Sequence, residues 1–452
     1  MMETIHIYHT NDIHSHFEHW VRITPFLKER QALHQKMGQS VFVFDIGDHV
    51  DRWHPYTEGT LGKGNVELLN DVGYTAVTIG NNEGITFGYE DLDSLYDNAQ
   101  FDVVIANVYQ PDHKRPEWAK PYCLYQTKHG LTLGVIGVTT YFKRFYELLG
   151  WKMTDPIEEV KRIVARIREH ADIIVLLSHL GIYDDERMAR EIEGIDVILG
   201  GHTHHILHEG KVINNVLLAA GGKHGQYVGH VQLTIDTNKV IHEKKAQLYE
   251  TQQLPPREYE DEQIDSLFEK GKTLLYQPIA HVKEELAVHW FQPSTFPQLL
   301  CDAILEWCQG DCAFINAGLV LHSLPKGKVT KFHIHQALPH PINPCVVELT
   351  GAELKEVFRQ SFDQSLAHLP IKGFGFRGQV MGAFVYSGID FDENRQTFSI
   401  RGKPLEARRV YQLATIDMFT FGPFFPEIHR AQKKTYFLPE FLRDIIVWKL
   451  SK

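Results

Sequence analysis

Short β-rich runs alternate with helical patterns through the first half of the chain, and five of those runs end in residue types that bind metal ions. The runs are Ile5–Tyr8, Val41–Phe44, Ala76–Ile79, Val103–Ala106, Leu133–Val138, Ile173–Leu177 and Val197–Leu199. Between several of them lie stretches such as Asn65–Asp71 and Pro156–His170, where apolar residues return at three- and four-residue spacing and predict helices. Such alternation predicts an α/β domain around a largely buried sheet, with ligand sites beyond the carboxyl ends of the strands.

The residues at those ends are Asn11-Asp12-Ile13-His14, Asp45-Ile46-Gly47-Asp48, Gly80-Asn81-Asn82-Glu83, Ser178-His179 and Gly200-Gly201-His202-Thr203-His204. Carboxylate, imidazole and amide oxygen together suit manganese, iron or zinc, and the lack of cysteine excludes a thiolate site. Asp12 and His14 lie two apart, as do His202 and His204, so an extended segment is expected to point each pair one way. A glycine beside Asp48, Asn81 and His202 allows sharp turns and close approach. Singly, each motif reads as a surface turn, a left-handed asparagine or a helix cap. In succession, each at a strand end, they read as one centre.

At 452 residues the chain exceeds one ordinary core, so two domains are expected. Residues 1–250 form the first, 251–277 a linker helix opening after Pro255-Pro256, and 278–452 a second, α+β domain with Phe296–Trp307 helical and Val346–Leu349 extended. A formal net charge of −11 argues against nucleic acid and anionic membrane as partners, though a small anionic substrate can meet local cations. No apolar run has the length of a membrane span. The N-terminus enters a strand directly, without signal-peptide features. The five cysteines, Cys123, Cys301, Cys308, Cys312 and Cys345, lack zinc-type or disulfide-framework spacing. Free thiols in a reducing cytoplasm are expected.

The series D-x-H, G-D, G-N-x-E, S-H and G-H-T-H resembles the calcineurin-like metallophosphoesterase superfamily, and its surroundings look like the 5′-nucleotidase family. Ala219–Gly229, Ile315–Gly318 and Val347–Ala352 extend the likeness along the chain. The resemblance implies an α/β fold: an N-terminal metallophosphoesterase β-sandwich flanked by helices, followed by a C-terminal α+β 5′-nucleotidase-like domain. It implies metal-dependent hydrolysis of a small phosphoester, most readily a nucleotide. A cyclic-nucleotide phosphodiesterase, a nucleotide-sugar pyrophosphatase and a non-catalytic, metal-dependent nucleotide-binding protein are the alternatives. It also implies two divalent metal ions, one held by Asp12, His14, Asp48 and His204, the other by Asp48, Asn81, His179 and His202, with Asp48 bridging.

Some positions depart from the family pattern. The family's catalytic histidine is replaced by Asn82, and Ile85-Thr86 stand where its partner aspartate belongs. His16 and His49 are the nearest candidates to take over. In the second domain Asn316 keeps a substrate-binding position, whereas Leu321 replaces an arginine. The second base-stacking aromatic falls on Phe424 or Phe425, the first on Phe376 or Phe384, and Arg377 and Lys372 are candidate phosphate contacts.

Overall fold

The computed structural model describes residues 2–392 and 397–452, which divide into two compact units, Met1–Gly271 and Lys272–Lys452. In the first unit two sheets lie face to face. The seven-stranded sheet runs in the order Ile241–Glu250, Tyr227–Ile235, Glu3–Thr10, Ser40–Asp45, Ala76–Val77, Asp102–Val104, Ala119–Lys120. The six-stranded sheet runs Lys211–Ile213, Val216–Ala219, Val197–Gly200, Ile173–His179, Thr132–Thr139, Tyr122–Gln126. Each run predicted as a strand lies on or overlaps one of these. The antiparallel outer strands Tyr227–Ile235 and Ile241–Glu250 carry no clear signal in the sequence, because polar and charged side chains interrupt their apolar positions.

Ile5, Ile7, Phe42 and Phe44 of one sheet and Val135, Ile173, Val175, Leu177, Val197 and Leu199 of the other are buried in one shared core. The near-continuous apolar character of the middle strands follows from burial on both faces. The outer face of the six-stranded sheet is covered by helices Pro156–Ile167 and Ile182–Glu191 through Val160, Ile163, Val164 and Met188. The first begins where the Asp155 carboxylate accepts from the backbone N–H groups of Ile157 and Glu158, with Pro156 at its first position. The β-sandwich flanked by helices is therefore present.

Parallel register sets the positions of the strand ends. Thr10 pairs with Asp45 and Asp45 with Val77, while Thr139 pairs with His179 and Ser178 with Gly200. The loops that follow emerge side by side at one edge of each sheet.

The second unit is α+β. Its five-stranded sheet runs Phe384–Ser387, Cys312–Asn316, Val410–Ile416, Pro344–Thr350, Lys434–Tyr436, with helix Thr295–Cys308 buried through Phe296, Leu300 and Ile304. The division between the units falls inside helix Glu260–Leu274, within the expected linker 251–277. Arg22 holds Glu260 through Nε and Nη2, both at 2.9 Å at closest. A Cβ on Gly271 would lie 2.2 Å from the Tyr56 backbone nitrogen. Most of the expected linker is thus an outer helix of the first unit. Among the described residues no helix is long and apolar enough to cross a membrane.

Candidate metal centre

The loop after Glu3–Thr10 is fastened to the loop after Ser40–Asp45 by main-chain bonds: Asp12 N–H to Gly47 O at 3.0 Å, His14 N–H to Asp48 O at 2.8 Å and Ser15 N–H to His49 O at 3.0 Å. The expectation of extended pairs fails here. Asp12, His14, Asp48, His202 and His204 all have positive φ, between 51° and 69°. Left-handed backbone is costly for a residue with a Cβ, and its clustering marks a functional loop. The side chains converge because the chain curls under them, not because alternate residues of a strand share a face.

The expected glycines are explained by contact. A Cβ on Gly47 would lie 2.3 Å from Gly80 N, one on Gly80 would lie 2.0 Å from Asp48 Oδ1, and one on Gly201 would crowd His179 Nδ1 at 3.0 Å. Buried Glu83 binds the same loops together, accepting from Asp48 N–H (3.0 Å), Val50 N–H (2.9 Å) and Gly80 N–H (2.8 Å). Burial and the neighbouring Asp48 push its carboxyl up to about 7.

Two overlapping clusters of ligand atoms result, Asp12 with His14 and His204, and Asp12 with Asp48 and His179. His204 Nε2 is 3.4 Å from Asp12 Oδ1 and 3.3 Å from His14 Nε2. His14 Nε2 is 3.6 Å, and His179 Nε2 3.4 Å, from Asp48 Oδ2. His202 Nδ1 and the Asn81 amide oxygen lie 2.9 Å apart beside them.

The outer nitrogens are occupied in the way metal ligands require. His14 Nδ1–H donates to Asp51 Oδ2 at 3.2 Å and His179 Nδ1–H to the Ile46 carbonyl at 2.7 Å. The second bond leaves His179 Nε2 turned to the carboxylates, wholly buried and without a hydrogen-bond partner among the described residues. A buried imidazole nitrogen aimed at two carboxylates marks a place for positive charge, which a divalent cation fits. The electrostatics agree. Burial alone would lower the imidazoles, yet Asp12 and Asp51 push His14 up to about 10, and Asp48 and Asp12 push His179 up to about 9. Burial opposes ionisation of Asp12, but His14 and His204 hold it well below the usual carboxylate range. The pocket draws positive charge inward.

Asn82, at the family's catalytic position, is buried and turned inward. Its Nδ2 donates to Asp48 Oδ2 and its backbone N–H to Asp48 Oδ1, each at 2.8 Å. Both bonds hold Asp48 in place. His49 is also withdrawn: it is buried edge-on against Trp20 at 4.7 Å, its Nδ1 is 3.2 Å from the Asn65 amide, and burial lowers it to about 3. That placement removes it as a proton donor. His16 stands at the rim, 25% exposed in its side chain, donating from Nδ1 to Glu18 Oε1 at 2.7 Å. It stacks on His224 at 3.7 Å, and His224 lies edge-on to His14 at 5.8 Å. The strand-end motifs do not include His224, although it lies within the Ala219–Gly229 segment that carries part of the family likeness.

Residues 5–205 match the calcineurin-like phosphoesterase family model, and residues 278–422 match the 5′-nucleotidase C-terminal domain. Over the whole of both chains the sequence is 42% identical to the uncharacterized metallophosphoesterase YunD of Bacillus subtilis (strain 168). This chain belongs to the calcineurin-like metallophosphoesterases. Its fold is shared with the 5′-nucleotidase precursor of Thermus thermophilus (TM-score 0.61, 22% identity, 99% of this chain and 96% of that one). It is shared too with NAD nucleotidase NadN of Haemophilus influenzae (TM-score 0.66, 16% identity, 100% and 96%). The chain is a metal-dependent hydrolase of phosphoesters, from a family that uses a dinuclear divalent centre.

In the metallophosphoesterase's second unit several expected substrate contacts lie inside. Phe425 is wholly buried against Phe314 at 5.2 Å, and Phe376 is stacked on buried His340 at 5.1 Å. Neither has a face left for a base. Asn316 is fully buried and donates to the Met381 carbonyl at 2.6 Å. Half-buried Phe384 lies among Phe314, Phe419 and Phe425. In the two segments that carry these candidates, Phe424 is half-buried and Phe374 exposed, 5.7 Å apart and edge to face. Phe374 is absent from the sequence-based candidates, though its place between Gly373 and Gly375 is a turn signal. Arg377 is half-buried and Lys372 exposed on the same segment.

Proposed function

We propose that this hydrolase acts on nucleotides, cleaving phosphoanhydride or activated ester bonds with two divalent cations, manganese, iron or zinc, held in the first unit. The observation that carries the reading is the convergence of Asp12, His14, Asp48, His179 and His204, with the buried His179 Nε2 among them. One cation would be held by Asp12, His14, Asp48 and His204, and the other by Asp48, Asn81, His179 and His202. When bound, the pair supplies charge for the phosphoryl oxygens and an activated water.

The chain's own residues orient that chemistry. Asp51 and the Ile46 carbonyl fix two imidazoles, and Asn82 and Glu83 fix Asp48 and its loop. With Asn82 committed inward, the family's usual help for a departing alkoxide is missing. General acid help is typically worth ~10²–10⁴-fold. Anhydrides and aryl esters leave as stabilised anions and need it less, which supports them over simple nucleoside monophosphates. Phe374 and Phe424, with Arg377 and Lys372 nearby in sequence, support recognition of a nucleotide by the second unit. The five buried free cysteines support a reducing compartment, the cytoplasm.

The test is phosphate release from nucleoside mono-, di- and cyclic phosphates and nucleotide sugars, with and without manganese. Manganese-dependent release, fastest from anhydrides, is expected. A preference for monophosphates would assign the acid's work to the His16–Glu18 pair and end the anhydride reading. No release from any nucleotide would end the nucleotide reading.

A further inference from the structure

The candidate ligands are not equally enclosed. Asp12, His14, Asp48 and His179 are buried, whereas Asn81, His202 and His204 are half-buried. Solvent, and hence substrate, reaches the centre on the side of these three. On that side the Phe142 ring lies edge-on to His202, with centroids 5.9 Å apart at 71°. Phe142 is 40% exposed and its neighbour Tyr141 43%.

Single exposed aromatics are ordinary on a protein surface. These two are held on the rim of a reactive centre by specific structure. They follow strand Thr132–Thr139, whose last residue pairs with His179, so they leave the sheet at the ligand-bearing edge. Buried Asn107 grips that strand end from both directions, donating to Thr139 O at 2.8 Å and accepting from Thr139 N–H at 3.0 Å. Phe142 N–H then donates to Thr140 O at 2.9 Å, and helix Lys143–Leu148 follows at once. The turn sets the Phe142 ring beside His202, with exposed Tyr141 next to it in the chain.

We propose that Tyr141 and Phe142 are specificity-determining residues, forming the contact surface for a flat organic group, a nucleobase or aryl ring, carried by the phosphate that reacts at the centre. The proposal rests on the phosphoester reading and deepens it. Aromatic side chains stack on flat rings without demanding a hydrogen-bond pattern, which suits a platform beside the metals.

Calorimetry on the manganese-loaded full chain, with phenylphosphonate and methylphosphonate as probes, tests this without turnover. The wild type is expected to bind the phenyl compound more tightly. Phe142→Ala should erase about tenfold of that preference, leaving methylphosphonate affinity and manganese content unchanged. Phe142→Trp should keep the preference, and Tyr141→Ala should reduce it in part. Equal wild-type affinity for the two probes, or Phe142→Ala weakening both alike, would overturn the proposal. Failure of the nucleotide panel beside a phenyl preference lost in Phe142→Ala would sink the substrate reading and leave the platform standing.

Discussion

In the first unit the candidate ligands are placed by backbone. Two strand-end loops are fastened together by main-chain hydrogen bonds, and a buried glutamate ties a third to them. In the second unit Phe374 and Phe424, the candidate stacking rings, stand on turns. Gly373, Phe374 and Gly375 form a run of left-handed residues within a loop whose ends are joined by Met381 N–H to Leu369 O at 2.9 Å. A dinuclear centre tolerates little displacement, so its ligands sit where strands and shared carboxylates fix them. A ring that stacks on another ring tolerates sliding and tilting, so it can stand on a turn. The difference is one of tolerance: a metal site needs fixed ligands, and a stacking ring does not.

Substitution of the shared carboxylate is the strongest way to break that division. Asp48→Asn, or His202→Ala, should abolish turnover and reduce metal content clearly below two ions per chain. Two ions and wild-type rates in Asp48→Asn would dissolve the proposed centre. A gentler probe is Asp51→Asn, which keeps every ligand but loosens the His14 ring. Manganese affinity should fall ~10–100-fold, measured by titration against a chelator. Unchanged affinity would remove Asp51 from the support of the site.

Within the second unit two adjacent aromatics should behave oppositely. Phe425→Ala should cost about 3–5 kcal/mol of stability, as a large buried ring lost from a core. Phe424→Ala should cost little stability but raise KM for a nucleotide about tenfold, with kcat nearly kept. Urea unfolding and steady-state kinetics on the two variants decide the matter. A reversed pattern would return Phe425 to the substrate side.

The smallest expected effect is a difference in acid sensitivity. In the first unit His6 and His230 are buried 3.0 Å apart (Nδ1 to Nε2), His6 stacks on His34 at 3.7 Å, and Tyr8, Tyr249, Arg30 and His9 surround them. Burial, reinforced by the neighbouring imidazoles, lowers His6 to about 4 and His230 to about 3. The unfolded chain, with ordinary values near 6.5, takes up protons that the folded chain refuses. Stability therefore falls as pH drops from about 6.5 toward 4. Hydrogen exchange should show protection of Glu3–Thr10 and Tyr227–Ile235 declining between about pH 6.5 and 4, and declining less in a His6→Gln, His230→Gln variant. Equal decline in both proteins would place the sensitivity elsewhere.

The ligand residues were legible because metal chemistry restricts residue type and parallel strands restrict position. Asp12, Asp48, His179 and His202 each follow a run that the apolar pattern marked. The left-handed turns beneath them were not legible, since aspartate and histidine carry no mark of that conformation. Helix Phe17–Lys36 escaped because Pro25 lies inside it and polar residues interrupt its buried face. The aromatics of the second unit were read from the family likeness. Composition places Phe374, Phe376, Phe424 and Phe425 near one another in two short segments, but which ring turns inward depends on a core assembled from distant strands.

Gly47 and Gly80 lie more than thirty positions apart in the chain, yet each occupies space the other's loop would need for a side chain. Neither can drift to another residue while its counterpart stays in place. In divergent descendants of this fold, the glycine in front of an aspartate or an asparagine is thus a record of two loops touching. A chain that abandoned catalysis but kept its shape would still carry both. Searches for retained activity in remote homologues should weigh the carboxylates and imidazoles, and treat the glycines as markers of architecture.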